Sequence, residues 1–180
     1  PDLARAERLL RDALESQPDS EALSALFERV ARAKGDDLLL VEALSKVVAL
    51  PGAHTEALRE GVALAERLER SDLCEALLRS GVERDAMGEA DTAWALCELA
   101  DLCDERGALP EALSLRERAA GLLPPDEARA LLLSVARRWA GEAGDAASAR
   151  RIYESLLEHD PADREVWEPL ASVYRKLGAS

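Results

Sequence analysis

The sequence predicts an all-α protein, about ten helices stacked as antiparallel pairs into an alpha-alpha superhelix. Aromatic residues make up only 3% of the 180 positions. The interior must therefore be built from Ala, Leu and Val, and helices can approach closely across such small side chains. Apolar residues recur at helical spacing and are broken at intervals by Gly, Asp and Pro. The pattern also repeats on itself. With Gly107 laid on Gly178, Leu96 falls on Trp167, Leu99 on Leu170, Ala100 on Ala171 and Cys103 on Tyr174. In the helices that follow Gly107 and Gly144, Ala112 matches Ala149, Leu115 matches Ile152, Ala119 matches Leu156 and Pro124 matches Pro161. One helix pair of about 34–37 residues is used again and again.

From the N-terminus, residues 2–18 form a half unit. Leu3 to Glu15 places Ala6, Leu9, Leu10 and Ala13 on one face, and Gln17-Pro18-Asp19 stops it. Its register is that of a second helix whose first helix is missing, so the chain reads as a piece of something longer. A full pair follows over 19–51. Helix 20–34 carries Leu23, Leu26, Phe27, Val30 and Ala31 and ends at Gly35. Asp36 or Asp37 can cap the next helix, which is unusually apolar (Leu40, Leu44, Val47, Val48), as expected of a helix with neighbours on two sides. The pair 53–88 is degenerate. Helix 54–69 holds Leu58, Val62, Ala65 and Leu68, Ser71 or Asp72 caps the next, and Asp85-Ala86-Met87-Gly88-Glu89 replaces a proline break.

The pair 91–125 is the clearest: Asp91 caps helix 92–106, Gly107 ends it, and Pro110 opens the next, where a missing N–H costs nothing. In the pair 126–161, Asp126 precedes a helix with Leu132, Val135, Ala136 and Trp139, and Asp145 caps a helix with Ala149, Ile152, Tyr153 and Leu156. A last half unit, 162–178, carries Val166, Trp167, Leu170, Ala171, Val173 and Tyr174, a first helix without a second. The units make a single repeat domain over 1–180.

This spacing resembles the tetratricopeptide repeat. Trp167, Leu170, Ala171 and Tyr174 carry the first-helix signature, and Ala149, Tyr153, Leu156 and Pro161 the second. The resemblance is strong over 91–178, fair over 2–51 and weak over 54–88. Arg116 and Leu44 stand where the family has an aromatic residue, and Leu40 where it has a small one. The resemblance implies a right-handed superhelix and a non-enzymatic scaffold or adaptor, whose first helices line a concave groove for a peptide or a partner helix. On this template the groove residues are Trp94, Cys97, Asp101 and Asp104, then Leu133 and Arg137, then Glu168, Ser172 and Arg175. A carboxylate clamp of Lys and Asn, used by some members, is disfavoured, since the chain contains no Asn.

The net charge of -13, from 36 acidic against 23 basic residues, sets the groove's expected partner. It disfavours nucleic acid and anionic membrane, and it favours a protein or peptide bearing Arg or Lys in a partly acidic groove. No run approaches the roughly 20 apolar residues of a membrane helix. Self-association through exposed terminal helices is the alternative function. Cys74, Cys97 and Cys103 are too few for a disulfide framework, which makes a cytoplasmic location the expectation. Cys97 and Cys103 are six residues apart on one helix and cannot share a face. The two histidines, His54 and His159, lie at helix boundaries, and no motif for a metal, a nucleotide or another cofactor is present. No enzymatic activity, metal or cofactor is expected.

Overall fold

The helices form where small-residue periodicity, caps and breakers agree, and they number ten among the described residues of the computed structural model, 2–52, 54–83 and 87–178. They are α1 (Leu3–Ser16), α2 (Glu21–Lys34), α3 (Asp37–Val48), α4 (Thr55–Arg67), α5 (Ser71–Glu83), α6 (Glu89–Glu105), α7 (Leu109–Ala120), α8 (Pro125–Gly141), α9 (Ala146–His159) and α10 (Arg164–Gly178). No strand occurs among the described residues. The chain divides into two compact units, Pro1–Ala95 and Leu96–Ser180, with the border inside α6.

In the first unit α1 packs on α2, α2 on α3, α3 on α4 and α4 on α5, while α3 also touches α5. Short connections between packed neighbours make each pair antiparallel. Caps fix the starts. Asp2 accepts from the Arg5 N–H, Ser20 from Leu23 and Asp36 from Leu39. The apolar reading of α3 holds: Leu39, Leu40, Val41, Ala43, Leu44 and Val48 are all buried. The α4–α5 crossing is close because two glycines lie in it. A Cβ on Gly81 would stand 2.6 Å from Leu58 Cδ2, and one on Gly61 3.0 Å from Leu77 Cδ1.

Three helix starts differ from the sequence expectation. α5 begins at Ser71, and Asp72 is taken up by the Arg70 guanidinium at 2.6 and 2.7 Å instead of serving as a cap. α6 begins at Glu89 and not after Asp91; Thr92 donates its N–H and its hydroxyl to the Gly88 carbonyl. Asp91 is thereby freed for Arg59, at 2.8 Å. α8 begins with Pro125, whose ring suits a first helical turn, so Asp126 lies within that turn. The Asp85-Ala86 part of the connection before α6 lies outside the described residues.

In the second unit α7 packs on α8, α8 on α9 and α9 on α10, with α8 touching α10. Its core joins Leu113, Leu133, Trp139, Ala149, Ile152, Tyr153, Val166 and Leu170. Gly107 takes φ 77, the left-handed turn that closes α6. Asp145 caps α9 through the N–H groups of Ala147 and Ser148, both at 3.0 Å. Within each unit the architecture is a tetratricopeptide-like series of antiparallel helix pairs, as the sequence predicts.

Candidate functional site

The expected groove residues fall in both units and are taken unit by unit. In the first, Trp94 is half-buried, and the Arg59 guanidinium lies over its ring at 4.0 Å from the centroid. Arg59 is held there by its bond to Asp91. One face of the indole is thus occupied by a cation–π contact from α4, and Trp94 is not the free aromatic anchor that the sequence suggests.

In the second unit Asp101 and Asp104 project from the end of α6 towards α7 and α8. Arg138 of α8 makes a two-pronged contact with Asp104, Nη1 to Oδ2 at 2.8 Å and Nη2 to Oδ1 at 3.0 Å. Arg116 of α7 adds a third bond, Nη1 to Asp104 Oδ2 at 2.7 Å, and reaches Asp101 with its other nitrogen. Arg138 also meets Glu142 at 3.1 Å. The Arg138 guanidinium first, with Arg116 adding to it and partial burial opposing, holds the Asp104 carboxyl below the usual carboxylate range. The same pairing pushes Arg138 further up. The acidic centre expected from Asp101 and Asp104 is therefore matched by two guanidiniums. Sequence reasoning missed this because Arg116 and Arg138 lie on other helices than Asp104, 12 and 34 residues away.

The remaining groove residues separate. Leu133 is 5% exposed and belongs to the core beside Trp139, so it offers no surface to a partner. Arg137, Glu168 and Arg175 are exposed, and Ser172 is half-buried. Cys97 is half-buried, and burial pushes its thiol up, against the pull of Arg116. A thiol so placed is a poor nucleophile. Cys103 is buried in the core.

Three pairs were legible by a signal not used in reading the sequence. Asp104 with Arg138, Glu117 with Arg151, and Arg129 with Asp163 all join opposite charges 34 residues apart. A search for opposite charges separated by one repeat would have found all three. Glu117 also accepts from the Trp139 indole N–H at 2.9 Å, so one carboxylate ties the core aromatic to a surface pair.

Among the described residues no group of three or more His, Cys, Asp or Glu is placed to hold a metal ion, and no helix is long and apolar enough to cross a membrane. No family model matches the chain, and no curated protein matches it. Two solved structures of MamA resemble it. One is 19% identical with a TM-score of 0.46, the match covering 82% of either chain. The other is 16% identical with a TM-score of 0.45, covering 87% of this chain and 82% of that one. At those scores the likeness carries no weight for function.

Proposed function

We propose that this chain is a non-enzymatic interaction scaffold that receives a peptide or a partner helix on the exposed faces of its first helices. The observation that carries the reading is the set of polar side chains left at the surface in groove register on the second unit. Arg137, Glu168 and Arg175 have no ion-pair partner among the described residues, although ion pairs recur along both units. Charges spared from intramolecular pairing are available to a partner. Since Asp101 and Asp104 are answered by Arg116 and Arg138, this surface is mixed in sign, and it suits a partner with both charges.

The chain and an Arg137→Glu, Glu168→Arg variant, immobilised side by side, test this in lysate of the source organism. A polypeptide kept by the first and lost by the second, with unchanged helicity, is expected. Equal retention by both would sink the groove reading.

Self-association is a second reading, favoured by one observation. Trp167 and Tyr174 of α10, 56% and 49% exposed, are the repeat equivalents of Leu96 and Cys103, which are buried. Leu9 of α1, 56% exposed, is likewise the equivalent of the buried Leu115 and Ile152. Sedimentation over a range of concentrations distinguishes the readings: a rise in mass that Trp167→Glu removes supports self-association, and a constant monomer mass eliminates it.

A further inference from the structure

We propose that a cleft of the second unit, between the start of α8 and the end of α9, docks a partner segment carrying an aliphatic side chain beside Lys or Arg. The cleft encloses about 480 Å³, within the roughly 300–1,000 Å³ range of sites that bury small ligands or anchoring side chains. Ala128, Leu132 and Leu156 line it with carbon, and Asp126, Asp160 and Asp163 give it carboxylates. It goes beyond the reading above, because none of these residues belongs to the exposed groove register of α6, α8 or α10.

The charge of the cleft selects the partner. Asp163 is buried, 7% exposed, and Arg129 donates to it at 2.7 Å. The same guanidinium also serves Glu165 at 3.0 Å, so one cation stands between two carboxylates. Asp126 and Asp160 have no ion-pair partner among the described residues. Asp126 lies in the first turn of α8, where the helix N-terminus offsets part of its charge. Asp160 caps the C-terminus of α9, where the helix dipole adds to its charge. His159 turns its Nδ1 back to the Ser155 carbonyl at 2.8 Å. The contrast with Asp104 is plain: there two guanidiniums answer one carboxylate, and here the excess is negative.

An anionic segment is repelled at this cleft. A purely apolar one would strip water from Asp160 without replacing it, and a purely cationic one would leave Leu132 and Ala128 wetted. A segment that combines both satisfies the carbon wall and the carboxylates together.

The test is a titration of the isotope-labelled chain, followed by amide chemical shifts, with acetyl-Lys-Leu-Leu-Lys-amide as probe. Shifts centred on Ala128, Leu132, Ser155 and Asp160 are expected. Asp126→Asn with Asp160→Asn should weaken binding about tenfold, since Asn at 160 retains the oxygen that accepts the Ala162 N–H. The Arg137→Glu, Glu168→Arg variant should bind as the unmodified chain does, which separates this site from the groove. Equal binding of acetyl-Lys-Ser-Ser-Lys-amide would reduce the effect to bare charge and overturn the proposal. So would shifts centred elsewhere, or none at millimolar probe.

Discussion

Asp104 receives three bonds from two arginines, and its protonation state is consequently tied to the fold. Its carboxyl is held below its ordinary value in the folded chain. Such a group stabilises the fold above its unfolded pKa, and that contribution is lost as pH falls through the lower, folded value. Asp104→Asn is therefore expected to lower stability by about 1–2 kcal/mol at neutral pH, and the two proteins should converge in acid. Denaturant melts at several pH values check this; a constant gap down to strongly acidic pH would contradict it. Ser24 is the opposite case. Its side chain is fully buried, and the hydroxyl has no hydrogen-bond partner among the described residues. Leaving a hydroxyl unsatisfied costs about 1–3 kcal/mol, so Ser24→Ala should be neutral or stabilising in thermal melts, whereas a clear loss would reveal a bond to water.

At the scale of helices, the α4–α5 crossing sets a steric limit. Gly81→Ala gains helix propensity of about 1 kcal/mol, but its methyl would meet Leu58, itself almost wholly buried. Overpacking costs about 1–3 kcal/mol, so a net loss in melting temperature is expected, and Leu58→Val should restore part of it. Ala149→Leu, at a fully buried position of α9, should be destabilising by a similar amount. Helix existence was legible because small-residue periodicity and breakers coincide from α1 to α10. Starts were less so. Asp72 and Asp91 have the composition of caps, yet each binds an arginine, Arg70 or Arg59, and the local pattern does not show which use of a carboxylate prevails. Of the site, Arg137, Glu168 and Arg175 were placed at the surface by register alone, while Leu133, an apolar side chain in the same register, is buried in the core of the second unit. The pairing of Asp104 escaped because its partners lie on α7 and α8, 12 and 34 residues away.

For the whole molecule, helix pairs that touch mainly their neighbours make local stability follow position in each unit. α3 is buried on several faces by α2, α4 and α5, whereas α1 packs on α2 and leaves Leu9 to solvent. Hydrogen exchange should thus be slowest in α3 within the first unit. In the second it should be slowest in α8 and α9, with α10 faster. Exchange followed by mass spectrometry checks this, and uniform protection through a unit would mean that it opens as one block.

The three tryptophans occupy three different environments. Trp94 is stacked under a guanidinium, Trp139 is buried with its N–H bonded to a carboxylate, and Trp167 stands open to water. Their fluorescence is accordingly separable: iodide should quench Trp167 strongly and Trp139 hardly at all, and Trp167 should emit furthest to the red. Proteins keeping one tryptophan each would give an optical reporter of local melting for the first unit, the core of the second and its last helix.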